Sequence, residues 1–317
     1  MECSLQSAAN LILQAETIVI TAHVHPDGDS LGSMLALYQY LEAKGKNVQM
    51  LLDDTLPVLY EFLPGIQKIH RSTEPPIDAD LLVILDASDE ERIGKIGKLV
   101  KAAVLNIDHH ISNTKFADYW YIDSAAAATG EVILAMLKLM DAQISPDMAV
   151  CLYTAIATDC GFFRYANTSA QTLRYAADLV ECGVKPHLIS EYVDVRPLSS
   201  LLILQKALGT LELYCNGKIA AITISQSLLD DDDSTEGLVN YPRNIVGVEI
   251  AILFKFVEAG VCRISFRSKN ADVSRLALEF GGGGHIRAAG CTVKGTVEET
   301  KRKVIAAAKR QLQELPA

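Results

Sequence analysis

Short apolar runs and stretches with a helical period alternate through the first half of the chain. Residues 17–22, 47–52, 81–86 and 102–107 are apolar, bounded by turn or helix signals, and read as buried strands. Leu5, Ala8, Ala9, Ile12 and Leu13 share one helical face within residues 1–16, and residues 31–44 form a helix closed by Gly45. Residues 125–140, 146–159 and 169–182 repeat their apolar positions about every 3.6 residues, with Gly161 and Gly183 placed to end the last two. Strands and helices in alternation predict an α/β domain with a mostly parallel sheet flanked by helices.

The second half changes character. A connecting helix is expected at residues 198–208, then strand-like runs at 210–215 and 218–225. Asn216-Gly217 between them is the strongest short-range hairpin signal a sequence offers. Further strands read at 247–256 and 261–267, followed by a helix at 274–280, a glycine run and a final helix from Val297. The pattern divides the chain into a first domain over residues 1–190, a connector over 191–209 and a smaller C-terminal α/β domain over 210–317, with a cleft expected between the domains.

Composition narrows the class. The 317 residues suffice for two cores, and 50% apolar with 21% charged residues describes a globular chain, which excludes a disordered one. Mean hydropathy is +0.19, yet no run approaches the roughly 20 apolar residues of a membrane span. Residues 1–16 lack the basic leader of a signal peptide, so no membrane association is expected. Seven cysteines, scattered and never two residues apart, point to reduced thiols in the cytoplasm and away from a disulfide framework or a zinc ribbon. With 29 basic against 39 acidic residues the net charge is −10, which argues against long duplex DNA as a partner and leaves room for a short nucleotide in one pocket.

Polar residues gather at strand and helix ends. His23, Asp27 and Asp29 follow the first strand, Asp86 ends the third, Asp108-His109-His110 ends the fourth, and Asp159 closes the helix at 146–159. Singly, each has an ordinary reading. Asp29-Ser30 caps a helix, Asp86 caps a turn, a lone histidine is a hydrogen-bonded core residue, and Asp159 merely ends a helix. Jointly they set about five negative charges at the carboxyl edge of a parallel sheet, where ligands bind, and burying them unpaired would cost many kcal/mol. Divalent cations are the natural compensation. Carboxylates and imidazoles without thiolates suit Mn²⁺, Mg²⁺ or Co²⁺, and two ions sharing a bridging carboxylate are used for displacement at phosphorus.

In order and spacing, His23-x-x-x-Asp27-x-Asp29, the strand-end Asp86, Asp108-His109-His110 and Asp159 resemble motifs I to IV of the DHH phosphoesterase superfamily. The resemblance implies that His23, Asp27 and Asp86 hold one divalent cation and that Asp29, Asp86, His109 and Asp159 hold the second, with Asp86 bridging. It implies that Asp108 orients the histidine, and that His110 faces the substrate phosphate as hydrogen-bond donor or general acid.

In residues 261–270, Arg263, Ser265, Arg267 and Lys269 share one strand face, while Ile264, Phe266 and Ser268 share the other. Three cations on one face of an acidic protein suggest an anion site. The run from Gly281 to Gly284, followed by His285, exposes backbone N–H groups and admits a close ligand. Phe266-Arg267-Ser268 and Gly281-Gly282-Gly283-Gly284-His285-x-x-Ala288-Ala289-Gly290 resemble the DHHA1 nucleotide-binding domain, so the two resemblances together span nearly the whole chain. The compact two-domain members to which it is similar act as nanoRNases and pAp phosphatases and often form homodimers. The resemblance thus implies a nucleotide gripped by Arg267, Ser268, Gly283, Gly284 and His285. The implied reaction is hydrolysis of short oligonucleotides to nucleoside monophosphates, or of 3′-phosphoadenosine 5′-phosphate to AMP. Alternatives are a cyclic- or linear-dinucleotide phosphodiesterase, a pyrophosphatase or polyphosphatase, and a non-catalytic metal-dependent nucleotide sensor. The Asp230–Asp233 run and the stretch around Arg243 carry no assigned role.

Overall fold

The computed structural model describes residues 1–71, 76–228, 235 and 237–314, and the chain divides into two compact units, Met1–Val195 and Arg196–Ala317. The Asp230–Asp233 run lies outside the described residues.

The first unit runs α1 (Leu5–Gln14), β1 (Thr17–Thr21), α2 (Gly28–Ala43), β2 (Asn47–Leu52), β3 (Ile69–Arg71), β4 (Ile77–Leu85), α3 (Ile96–Leu99), β5 (Val100–Asp108) and β6 (Tyr119–Ile122). Four helices follow: α4 (Thr129–Leu139), α5 (Pro146–Asp159), α6 (Ala170–Glu181) and α7 (Pro186–Asp194). The strands form one parallel sheet in the order β3-β2-β1-β4-β5-β6. Ile18 and Ile20 of β1 and Val83 and Leu85 of β4 face the larger core with α2, α4 and α5, while Val19, Leu82 and Ile84 face a smaller one with Ile93 and Ile96. Burial on both faces is what a parallel sheet requires. The strand order reverses between β1 and β4, and such a reversal opens a crevice at the carboxyl ends of the two strands. Because Thr21 pairs with Ile84, the segments bearing His23 and Asp86 leave the sheet side by side.

Two glycines set the spacing behind that crevice. A Cβ on Gly32 would stand 2.3 Å from the Cys151 carbonyl oxygen, and one on Gly28 would stand 2.4 Å from Thr158 Oγ1. The backbones of α2 and α5 therefore approach closely, which brings the segments carrying Asp29 and Asp159 together.

The structure departs from the sequence reading at several elements. Helix α2 begins at Gly28, not at residue 31, because Asp27 is the cap: its side chain accepts from the Asp29 and Ser30 N–H groups. The edge strands β3 and β6, three and four residues long, were not anticipated. Helix α7 runs across the expected start of the connector at residue 191; its Ile189 and Val193 are buried in the first core, and Tyr192 stacks on Phe62 at 4.6 Å.

The second unit contains α8 (Leu198–Leu208), β7 (Glu212–Tyr214), β8 (Ile219–Ile224), α9 (Asn240–Arg243), β9 (Ile250–Glu258), β10 (Val261–Ser268), α10 (Val273–Leu278), β11 (Gly283–His285), β12 (Ala288–Lys294) and α11 (Val297–Gln313). Its sheet order is β11-β12-β10-β9-β8-β7, with β8 and β9 parallel and the other pairs antiparallel. The hairpin at Asn216-Gly217 forms as expected, with both residues at positive φ and the Lys218 N–H donating to the Cys215 carbonyl at 3.1 Å. One sheet face packs Phe254, Ile264 and Phe266 against Leu276, Val304 and Ala308. The other packs Ala251 and Leu253 against Ile203 and Ala207 of α8. The glycine run, read as an open ligand loop, is in part the edge strand β11. Gly284 lies at φ +139, and a Cβ there would meet the Ala289 backbone at 2.5 Å.

Candidate active site

The carboxyl edge of β1, β4 and β5 and the adjoining helix ends assemble every acidic and histidine residue that the sequence singled out in the first unit. His23 leaves β1 with Nδ1 2.8 Å from the Val24 carbonyl oxygen, and His109 follows β5 with Nδ1 3.3 Å from that of Ala126. With Nδ1 against a carbonyl oxygen, each ring turns Nε2 towards the carboxylates.

Asp86 stands in the middle. Its Oδ2 is 3.4 Å from His23 Nε2, while its Oδ1 is 3.6 Å from His109 Nε2 and 3.6 Å from His110 Nδ1. On one side Asp27 completes a group with His23 and Asp86, its Oδ2 3.7 Å from His23 Nε2. On the other, His109 Nε2 lies 3.8 Å from Asp29 Oδ2 and 3.6 Å from Asp159 Oδ2. Asp86 is buried and sits at φ +58, a left-handed conformation that a non-glycine residue adopts at a cost of order 1–3 kcal/mol and that clusters at functional sites.

Asp29 and Asp86 are held by groups far away in sequence. The first two N–H groups of α4, from Thr129 and Gly130, donate to Asp29 Oδ2 and Oδ1 at 2.6 and 2.8 Å, and Ser33 Oγ donates to Oδ1 at 3.2 Å. The Thr129 hydroxyl donates to Asp86 Oδ1 at 3.0 Å. A Cβ on Gly130 would stand 2.5 Å from the Ala155 Cβ, so only glycine fits there. Neither Thr129 nor its role was read from the sequence. The one signal was Gly130, an isolated glycine inside a helical pattern.

Asp108 is fully buried, and both its oxygens are engaged. Its Oδ1 accepts from the His109 N–H at 2.8 Å and lies 2.7 Å from His110 Nδ1, and its Oδ2 accepts from Asn113 Nδ2 at 2.6 Å. Asn113 also bonds Asn106 Oδ1 at 2.8 Å, which ties the loop to β5. His110 is thereby oriented with Nε2 free of the Asp108 bond.

The electrostatics follow from burial and crowding. Burial, reinforced by the charges of Asp86 and Asp159, pushes the Asp29 carboxyl well above the ordinary range. Burial likewise raises Asp159, to about 6, against the pull of His109. For His23, burial opposes protonation, but bonds to Asp27 and Asp86 prevail and lift it to about 10, while the same contact draws Asp27 down to about 2 against its own burial. In the Asp108–His110 pair the hydrogen bond also overrides burial, lowering the carboxyl and raising the imidazole. Carboxyls crowded together with too little positive charge, as Asp29, Asp86 and Asp159 are, are matched to cations. The cluster's oxygen and imidazole donors fit a hard or borderline divalent ion, and three groups of donors within reach of one another share Asp86 and His109.

In the second unit, His285 of β11 pairs with Ala288 of β12, which pairs with Arg267 of β10, so Arg267 and His285 lie in one row on one sheet face. Gly283 lies on that face one row on, opposite Gly290 and Ser265, whereas Gly284 belongs to the alternate row. Ser268 requires a correction. It lies on the buried face, its hydroxyl donates to the Ala271 carbonyl at 2.5 Å, its N–H to that of Arg287, and its own carbonyl accepts from Arg243 Nε at 3.2 Å. With these groups engaged, Ser268 fixes the turn after β10 and has no hydroxyl to offer a ligand. Arg243 accordingly braces that turn from the end of α9.

Carboxylate–imidazole groups that share Asp86, at the switch point of a doubly wound sheet, suit the hydrolysis of phosphoric ester bonds, and the chain's relatives are of that class. The chain belongs to the DHH family: the DHH family N-terminal domain matches residues 17–156, and the DHHA1 domain matches residues 216–314. It is 32% identical, over 93% of its length and 90% of the relative's, to the bifunctional oligoribonuclease and PAP phosphatase NrnA of Thermus thermophilus. The protein of the same name from Mycoplasma genitalium is 29% identical over 92% of each chain. Among solved structures, an exopolyphosphatase-related protein from Bacteroides fragilis superposes with a TM-score of 0.86 at 26% identity, covering 98% of this chain and 95% of that one.

Proposed function

We propose that this chain is a two-metal phosphoesterase that hydrolyses short oligonucleotides to nucleoside monophosphates and 3′-phosphoadenosine 5′-phosphate to AMP. The observation that carries the reading is Asp86, whose two oxygens face two different donor groups. The names of the NrnA relatives supply the substrate class. One ion is assigned to His23, Asp27 and Asp86 and the other to Asp29, Asp86, His109 and Asp159, with Mn²⁺ preferred and Mg²⁺ or Co²⁺ able to substitute. Bound there, a divalent pair supplies Lewis acidity at the phosphoryl oxygens and acidifies a water molecule.

The chain's own residues do the rest. The two Nδ1–H bonds keep His23 and His109 in the tautomer that presents Nε2. Asp108 holds His110 by Nδ1 and favours its protonated form, so a proton at Nε2 is available to a phosphoryl or leaving oxygen. In the second unit, Arg267 and His285 are assigned to the nucleotide's anionic groups, with Gly283 and Gly284 letting it lie close to the backbone. The seven free thiols suit a reducing, cytoplasmic setting. No described helix is long and apolar enough to cross a membrane.

A Mn²⁺-supplemented assay with a 5′-phosphorylated dinucleotide, 3′-phosphoadenosine 5′-phosphate, a cyclic dinucleotide and pyrophosphate tests the reading. Mononucleotide release that Asp86→Asn abolishes is expected. Cleavage of pyrophosphate alone, or nucleotide binding without turnover, would overturn it.

A further inference from the structure

Helix α4 has no cap of its own. The residue before it is Ala128, which has no side-chain acceptor, yet the helix start is buried. The missing acceptor arrives from α2: the Asp29 carboxylate takes the N–H groups of Thr129 and Gly130, one on each oxygen. Thr129 is itself fully buried and spends its remaining donor, the hydroxyl, on Asp86 Oδ1. One residue therefore touches two buried carboxylates of the site, Asp29 through its backbone and Asp86 through its side chain. These carboxylates repel one another, and the terminal torsion of an aspartate is broad, so nothing intrinsic fixes the plane of either.

We infer that Thr129 is a positioning residue that locks Asp29 and Asp86 in mutual register and thereby sets the affinity of the second divalent cation. The inference rests on the two-metal reading above. The hydroxyl occupies one lone pair of the oxygen that also faces His109 and His110, which leaves a single direction on Oδ1 for a cation. Without it the Asp86 carboxylate can turn, and the oxygen shared between the two groups loses its aim. The hydroxyl is bonded to Oδ1, which faces His109, and not to Oδ2, which faces His23, so the loss falls on the ion bound with Asp29, His109 and Asp159.

Thr129→Val tests this, because it keeps the shape and the backbone N–H to Asp29 and removes only the hydroxyl. Mn²⁺ uptake by metal-free protein is followed by calorimetry and by the electron paramagnetic resonance signal of the coupled ion pair. Two ions are expected in the unaltered chain. In Thr129→Val the second should bind roughly 10- to 100-fold more weakly, the usual consequence of removing a partner that orients a ligand, with the first unchanged. The coupled signal should vanish at limiting Mn²⁺ and return in excess, and the KM for nucleotide should not move. Thr129→Ser should restore both, and Thr129→Ala supplies a second hydroxyl-free chain should the valine disturb folding. Hydroxyl-free variants that take up both ions with unaltered affinity, or a serine variant as impaired as they are, would overturn the inference and leave the two-metal reading standing. Uptake of fewer than two ions by the unaltered chain would overturn that reading itself.

Discussion

His110 Nδ1 and Asp108 Oδ1 lie 2.7 Å apart, and that contact turns a buried carboxylate into the device that aims an imidazole. Replacing Asp108 by Asn keeps the shape but removes the charge that holds the proton on His110. The kcat for nucleotide hydrolysis is expected to fall by about 10²- to 10⁴-fold. The alkaline limb of the kcat–pH profile should shift to lower pH, because the interaction that raises His110 is gone. Steady-state kinetics across pH, with Mn²⁺ in excess, read both effects.

Asp86 is shared between donor groups, so its loss should not be confined to one ion. Asp86→Asn is expected to reduce Mn²⁺ content measured by elemental analysis at both positions. Asp159→Asn, which belongs to a single group, should lower it at one.

Without metal, the site's acid–base balance sets a distinctive stability profile. Asp29 and Asp159 bind protons more tightly in the folded chain than in the unfolded one, so stability falls as pH rises above the ordinary carboxylate range, for Asp159 through about 6. His23, raised to about 10, contributes fully below the ordinary histidine range and loses that contribution as pH climbs through 10. Asp27 acts oppositely: lowered to about 2, it stabilises above the ordinary carboxylate range and loses this as pH drops through 2. In chelator, the melting temperature is expected to be higher at about pH 5 than at about pH 8, and saturating Mn²⁺ should abolish the difference by replacing the protons. Scanning calorimetry decides it.

The close approach of α2 and α5 depends on glycine. Gly32→Ala forces a methyl group to within 2.3 Å of the Cys151 carbonyl oxygen. A destabilisation of about 1–3 kcal/mol is expected in denaturant unfolding, together with weaker Mn²⁺ binding, because α2 carries Asp29 and α5 carries Asp159.

In the second unit the two neighbours Arg267 and Ser268 should behave differently. Arg267→Ala is expected to raise the KM for a dinucleotide by about 10-fold or more and leave the melting temperature nearly unchanged. Ser268→Ala should lower the melting temperature through the lost bond to Ala271 and leave the KM largely intact.

The cluster of acidic and histidine residues was legible because its members lie at the ends of elements whose periodicity is strong: His23 after β1, Asp86 after β4, Asp108 to His110 at the close of β5. What was not legible has physical reasons. Strands β3 and β6 are too short to show a period. Asp29-Ser30 reads as a cap, but the capping side chain is Asp27, which places both residues inside α2. Thr129 is invisible because its partners are 100 and 43 residues away in sequence. Strand parity had already set Ser268 opposite Arg267, and the buried hydroxyl shows the parity to be the better guide.

The left-handed backbone at Asp86 separates the fate of the chemistry from the fate of the fold. Beyond glycine, asparagine and aspartate are the residues that tolerate this conformation best. A single change to asparagine or glycine there would preserve the turn and remove a buried negative charge from beside Asp29, while dismantling the bridge between the donor groups. Position 86 is thus a point at which a descendant could shed turnover without shedding its architecture.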